Sequence, residues 1–468
     1  MSKKEENKKD IEPNSNVMEK IISLAKRRGF IFQGSEIYGG LAGTWDYGPL
    51  GVALKRNIEG LWWKRFVTDR EDMYGMDAAI LMNQDVWKAT GHVATFADPL
   101  VEDLKTKKRY RVDHILLANN IDPKGMKIFD MDKALKDNAI KSPEGNPLGD
   151  ARQFNLMLKT HMGAIEDDSS ISYLRPETAQ GMFVNFKNVI DSFHPKLPFG
   201  MAQIGKAFRN EIAPRDFIFR VREFEQMEIE YFVKPENWEG AFEEFRAEML
   251  SFTEDIGLPK DMVHELEIAP EDRAHYSERT IDFEFDYPFG RKELYGLAYR
   301  TDFDLKSHSE SSKVDLSYFE EETKERFLAH CIEPSFGVGR SLLAVLTSAY
   351  TEDELGGETR CYLKLSPKVA PTLVAVFPLL KNKPQLVEKA REVYMSLRKE
   401  FGRVAFDDNG NIGKRYRRQD EIGTPFCVTI DFDTVEKDSM VTVRDRDTGE
   451  QERVEIDGLK EYLKGKTT

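Results

Sequence analysis

Residues 204–231, IGKAFRNEIAPRDFIFRVREFEQMEIEY, decide the fold. Two strand patterns flank a turn at Ala213-Pro214-Arg215-Asp216. In the first, alternation puts Ile204, Phe208 and Ile212 on one face and Gly205, Ala207, Arg209 and Glu211 on the other. In the second, Met227, Ile229 and Tyr231 share one face, and Arg220, Arg222, Phe224, Gln226 and Glu228 share the opposite one. Paired as a hairpin, the strands gather arginines, an aromatic ring and carboxylates on one floor. Guanidinium forks suit phosphates, a ring suits a base, and a carboxylate suits an exocyclic amine. A solvated face laced with cross-strand ion pairs has the same composition, so alternation alone leaves both readings open. Glu223 and Glu225 fall on the apolar face, which the pattern does not explain.

A second stretch is Glu333-Pro334-Ser335-Phe336-Gly337-Val338-Gly339-Arg340, a strand running into a helix. Arg340 falls in the first turn of that helix, where a cation opposes the helix dipole. An anion shared by the helix N-terminus and the guanidinium removes the conflict; a fold-back onto a neighbouring carboxylate is the alternative. The sequence has neither a GxxxxGK[ST] loop nor a GxGxxG turn, so a nucleotide site must be built another way.

The surrounding 468 residues carry 82 acidic and 68 basic side chains, a net charge of −14, with 40% apolar and 32% charged residues. This is a globular balance, long enough for about three domains. The acidic excess argues against coating an anionic polymer over the whole surface, but not against local basic patches. Cys331, Cys361 and Cys427 form no CxxC pair, which argues against a disulfide framework and points to a reducing, cytoplasmic setting. No apolar run reaches the ~18 residues of a membrane helix. The polar start, residues 1–16, reads as disordered rather than as a signal peptide.

Periodicity predicts helices from Val17, over Pro49 to Val67, and over Asn237 to Ile256. It predicts strands at 77–81, 280–285 and 294–299, within a first domain of residues 17–350. A polar, irregular and partly helical insertion occupies about 101–170. A linker at 351–362, marked by Gly356-Gly357, leads to a mixed α/β domain at 363–468.

Phe208-Arg209-Asn210-Glu211, the Arg220–Phe224 strand and the Gly337–Arg340 helix start resemble motifs 2 and 3 of class II aminoacyl-tRNA synthetases. Trp45-Asp46-Tyr47-Gly48-Pro49-Leu50-Gly51, Thr90-Gly91-His92, Phe96-Ala97-Asp98-Pro99 and Arg175-Pro176-Glu177-Thr178-Ala179-Gln180-Gly181 resemble the single-chain, homodimeric family of glycyl-tRNA synthetases. Gly413-Lys414-Arg415-Tyr416-Arg417-Arg418-Gln419-Asp420 and Gly423-Thr424-Pro425 are similar to the class IIa anticodon-binding domain. One departure is at Leu81-Met82-Asn83, where motif 1 often ends its strand with proline.

The resemblance implies an α+β fold: an antiparallel-sheet catalytic domain with an insertion, then a mixed α/β anticodon-binding domain. It implies ATP-dependent attachment of glycine to tRNA(Gly) through a glycyl-adenylate, by a homodimer with no membrane contact. ATP would contact Arg209-Asn210-Glu211, Phe219-Arg220-Val221-Arg222-Glu223-Phe224, Glu293-Leu294 and Gly337-Val338-Gly339-Arg340. Arg209 and Arg340 would be the catalytic cations at the phosphates, and Glu293 a contact for Mg²⁺. Glycine would contact Arg111, Glu177, Phe224-Glu225-Gln226-Met227-Glu228 and Glu333-Pro334-Ser335-Phe336-Gly337. Its pocket needs anions and little space, and no smaller amino acid competes for it.

Two basic runs, Lys105–Arg111 and Lys414–Arg418, are candidate tRNA surfaces, with Lys414, Arg415, Arg417 and Arg418 as the named contacts; solvated faces have the same look. A sister class IIa enzyme for another small amino acid is one alternative. A catalytically dead, nucleic-acid-binding relative is another, although Arg209, Glu211 and Arg340 are all present.

Overall fold

The computed structural model describes residues 15–467, so the polar start lies outside the described residues up to position 14. Seven strands form the central sheet. In chain order they are β1 (Met73–Gly75), β2 (Phe199–Phe208), β3 (Glu223–Val233), β4 (Val263–Glu267), β5 (Arg279–Tyr287), β6 (Gly290–Thr301) and β7 (His330–Gly337). They lie side by side as β4-β5-β6-β7-β3-β2-β1. All neighbours are antiparallel except the edge strand β1, which runs parallel to β2.

The strand period sorts each side chain to one of two faces. On one face Met227, Ile229, Phe283, Leu297 and Phe336 join a continuous apolar core. Helices α1 (Ser15–Arg28), α2 (Pro49–Trp63), α3 (Trp238–Asp255) and α4 (Val338–Ala349) contribute the rest of that core. Pro49 occupies the first turn of α2, where its missing N–H costs nothing. The rings of Trp62, Phe66 and Phe252 each stand 5.3 to 5.9 Å from that of Phe336. The two glutamates that the pattern left unexplained are neutralised here: Glu225 pairs with Lys55 of α2, and Glu223 with Lys206 on the adjacent strand.

Three sequence expectations change. The hairpin strands stop at Phe208 and restart at Glu223, so 209–222 is a long loop and not a tight turn. Within it Phe217 and Ile218 are buried, Phe217 packing edge-on to Trp45, while the Arg209 N–H bonds the Arg222 carbonyl and an isolated bridge pairs Arg215 with Arg220. The strand expected at 77–81 forms instead on either side, as β1 and as Leu81–Met82, which pairs with Ile171–Leu174. The stretch 351–362 is not an open linker but most of a hairpin, β8 (Tyr350–Leu355) with β9 (Glu358–Leu363).

The insertion has a small core of its own, built by Val101, Val112, Ile115, Leu116 and Leu135. Buried Asp103 ties its loops together by accepting from Ser142 and Asn146 and from the N–H groups of Lys105 and Thr106. After the hairpin comes a five-stranded sheet of Val404–Phe406, Val374–Pro378, Phe426–Ile430, Met440–Asp445 and Gln451–Glu455, in that spatial order. Its first three strands are parallel and its last two antiparallel, the mixed α/β pattern expected.

Helix α2 approaches the preceding chain so closely that a Cβ on Gly51 would overlap the carbonyl of Phe30. We expect Gly51→Ala to destabilise the protein by about 1–3 kcal/mol, seen as a lower urea midpoint at unchanged slope.

Candidate active site

The other face of the central sheet is the working face, and its layout follows from strand register. One row of cross-strand partners runs Gln203, Glu228, Ser335, Gly296, Asp282 across β2, β3, β7, β6 and β5. Along β3 the same face presents Phe224, Gln226, Glu228, Glu230 and Phe232 in turn. The face therefore grades from an aromatic and arginine-rich end, through carboxylates, to an apolar cluster that includes Phe183, Phe199, Met201, Phe232 and Cys331.

The arginine-rich end encloses a cavity of about 260 Å³ lined by Arg209, Glu211, Phe219, Arg220, Phe224, Glu293 and Arg340, among others. The 209–222 loop and the N-terminus of α4 bring these residues together. The Arg209 guanidinium lies 5.3 Å from the ring centres of both Phe96 and Phe224, and donates to the Pro176 carbonyl. The Arg340 guanidinium lies 4.5 Å from the Phe219 ring and 3.0 Å from the Glu293 carboxylate. Arg340 holds Glu293 below the usual carboxylate range. Burial, together with the charges of Glu293 and Glu284, pushes Asp282 up to about 7.

The acidic end is an adjoining cavity of about 380 Å³, whose lining shares Arg209, Gln226, Glu293 and Ser335 with the first. Glu228, 2% exposed, accepts from Ser335 at 2.8 Å, from Gln226 at 3.1 Å and from the Thr178 hydroxyl. Burial and the nearby charge of Glu177 push its carboxyl up. Glu177 is 3.3 Å from His92 Nε2 and accepts from Gln180 at 3.1 Å. Burial pushes Glu177 up, but His92 and Arg300 outweigh it and hold this carboxyl well below its ordinary value. Glu333 pairs with Arg300, yet burial and the charges of Glu228 and Glu177 still push it up to about 8.

Arg300 was not anticipated from sequence. It is 1% exposed, bonds both oxygens of Asp304 at 2.7 and 2.9 Å, and lies 3.8 Å over the Tyr276 ring. Gln180 links Asp304 to His308, which completes the shell. The available signal was an arginine two residues beyond Ala298 on the working face of β6, where a buried cation demands a carboxylate.

Several expected residues lie elsewhere. Met227, Phe336 and Val338 belong to the apolar core, and Pro334 alternates onto that same side. Glu223 holds Lys206 away from the floor, whereas Glu225 pairs with Lys55 and still lines the first cavity. Arg222 is a loop staple, donating to the carbonyls of Ala42 and Glu211, and the Asn210 N–H bonds the Leu156 carbonyl. Val221, Leu294, Gly337 and Gly339 do line the first cavity. Arg111 is not beside the three glutamates; held by Asp98 and Asp113 at 2.7 Å, it lines a separate cavity of about 170 Å³ with Glu211 and Arg220.

Of the basic run in the C-terminal domain, Arg415 is buried on helix Ile412–Glu421 and donates to the carbonyls of Pro378, Asp408 and Gly410. That excludes it as a surface contact. Arg417 pairs with Glu358 and Arg418 with Asp407, whereas Lys414 is exposed. The other run is also paired, Lys107 and Arg109 with Glu102 and Lys108 with Glu144.

Removing the Arg300 charge strands Glu333 and Asp304 in the interior. We expect Arg300→Gln to cost about 3–5 kcal/mol, checked by urea unfolding at pH 7.

Residues 164–349 match the family described as the tRNA synthetase class II core domain (G, H, P, S and T), and 373–466 match the anticodon binding domain. The chain is 49% identical over 463 residues to the glycine–tRNA ligase of Caldanaerobacter subterraneus subsp. tengcongensis, covering 97% of this chain and 99% of the relative. It is 51% identical over 460 residues to that of Clostridium tetani, covering 96% and 98%. The Bacillus cereus glycine–tRNA ligase is 49% identical over 458 residues, covering 96% and 99%. A class II core carrying an acidic pocket beside an arginine-lined cavity, joined to an anticodon-binding domain, thus sits in a chain that belongs to the glycine–tRNA ligases, the enzymes that attach glycine to tRNA in translation.

Proposed function

We propose that the two adjoining cavities bind ATP and glycine, and that glycyl-adenylate forms where they meet. The observation that carries this reading is the charge step between the two cavities on the working face, from Arg209 and Arg340 at one end to Glu177, Glu228 and Glu333 at the other. ATP carries anionic phosphates and a stacking base. Arg209 holds the α-phosphate, Arg340 the γ-phosphate, Phe224 stacks on adenine and Glu211 accepts from its amine. Glycine's ammonium faces the glutamates, which turns its carboxylate toward Arg209 and the α-phosphorus. Attack there expels pyrophosphate, and the 3′-terminal hydroxyl of tRNA(Gly) then displaces AMP from the glycyl carbonyl. Positioning and charge neutralisation supply the rate, and no protein nucleophile is needed.

Mg²⁺ belongs to the proposal. Among the described residues no three potential ligands converge into a metal cage. That suits an ion held through one or two carboxylates plus substrate phosphates, and Glu293 is the contact beside the nucleotide cavity. When bound, Mg²⁺ supplies neutralising charge to the phosphates. We also propose the homodimeric subtype, which the resemblance of the 45–51 and 175–181 blocks implies, and a cytoplasmic setting, which three free cysteines suit. No helix among the described residues is long and apolar enough to cross a membrane.

Glu228→Ala should raise the KM for glycine in ATP–pyrophosphate exchange by about 10²-fold, with the KM for ATP nearly unchanged; unaltered glycine-dependent exchange would sink the assignment. Exchange across a panel of amino acids tests the whole reading, since another preferred amino acid or no exchange would each overturn it. For tRNA, Lys414→Glu should weaken binding and flatten its salt dependence while leaving exchange intact. Arg415→Glu should instead unfold the C-terminal domain, seen as a separate early transition in thermal melting.

A further inference from the structure

Beneath the acidic cavity lies a carboxyl that the proposed reaction does not use. Glu230 is fully buried on the working face of β3, next along that face from Glu228. The register that pairs Glu228 with Ser335 and Tyr231 with Ile332 sets Glu230 opposite Glu333. Its Oε2 accepts from the Cys331 thiol at 3.0 Å, and its Oε1 has no partner.

The charges around this pair are unbalanced. Glu228 and Glu230 come from β3, Glu333 from β7, Asp304 from helix Phe303–Ser312 and Glu177 from the segment before Ala179. Facing them is the Arg300 guanidinium, whose bonds go to Asp304 and Glu333 and none to Glu230. Tyr276 and Cys331 complete the surroundings, both held in their neutral forms by burial. Two buried carboxyls facing one another cannot both ionise without a further cation. Burial, then the charge of Glu333, pushes Glu230 well above its ordinary value.

We propose that Glu230 is a positioning residue of the amino-acid pocket: the Glu230–Glu333 pair holds one proton in the empty site and releases it to solvent when an ammonium group arrives. The ligand's positive charge replaces the stored proton, so the pocket keeps the same net charge whether empty or filled. In the empty site a protonated Glu230 carries its hydrogen on the unpartnered Oε1, while Glu333 is paired with Arg300. The Cys331 thiol steadies the other oxygen. This rests on the reading of the pocket as the glycine site.

The test is calorimetric titration of glycine into the full-length enzyme at pH 7, in buffers of low and high ionisation heat. We expect release of close to one proton and a glycine affinity that rises about tenfold per pH unit below pH 8, since proton release on binding favours the complex as pH rises. Glu230→Gln mimics the neutral acid and should flatten that pH slope and abolish the proton release. Cys331→Ala removes the one hydrogen bond to a charged Glu230, so the slope should move to higher pH. A purely structural glutamate would move neither quantity. Glycine binding without proton release, a slope that survives in Glu230→Gln, or an unmoved slope in Cys331→Ala would each overturn the proposal while leaving the glycine site standing. No glycine heat in any buffer would overturn the glycine site itself. If Glu230→Gln does not fold, the wild-type proton count and Cys331→Ala decide the matter.

Discussion

One guanidinium makes the acidic pocket tenable. Carboxylates packed away from water repel one another and forfeit their hydration, and several kcal/mol per ion must be recovered by close pairing. Arg300 does this by bonding Asp304 through two parallel contacts and Glu333 through a third, while its flat faces rest against Tyr276 and Phe183. Each of its three nitrogens makes one of these bonds. Swinging toward a ligand would break them, and Glu177, Glu228 and Glu230 receive no bond from it. On the proposed reading, a small ammonium compound supplies further positive charge to these glutamates.

The rest of the site inherits its order from strand alternation. Because β3 places Phe224, Gln226, Glu228, Glu230 and Phe232 on one face, moving along one backbone passes from an aromatic ring, through an amide and two carboxyls, to the apolar cluster. The apolar cluster with Phe183, Met201 and Phe232 lies at the far end of that face, beyond Glu230. On the opposite face the same strands, with Met227 and Phe336, are sealed by helices, so the floor is held rigidly from below.

Much of this was legible in the sequence because period and chemistry agreed. Alternation in 223–231 separated Phe224 and Glu228 from Met227 and Ile229, and the arginine at the start of α4 marked a charge conflict, which Glu293 relieves from 3.0 Å away. What alternation could not supply was where pairing stops. Phe217 and Ile218 leave the strand to dock beside Trp45, and no local pattern announces that. Nor does a contiguous block such as 333–337 say that alternate members serve opposite faces, so Pro334 and Phe336 look as functional as Glu333 and Ser335. Basic runs misled for a different reason. Arg415 resembles its neighbours in sequence, yet it satisfies three carbonyls inside the domain. Lys55 and Arg300 find their carboxylates 170 and 33 residues away, distances at which sequence spacing carries no contact information.

The hairpin at 350–363 bears on how the two halves of the molecule can be exchanged. Its strand β9 ends at Leu363, and Leu363, Leu365, Val369 and Ala370 are all buried within the catalytic core. Arg360, meanwhile, reaches into the C-terminal domain and bonds Asp420 and the carbonyls of Arg446 and Asp447. The covalent junction and the physical seam are thus offset, with the core-building chain running on to about residue 370. A chimaera cut at 351 would strip one module of its packing and leave the other with an unmated arginine pocket. Shuffling of such modules between related chains is constrained to the short stretch just before Leu373, where neither interior is opened.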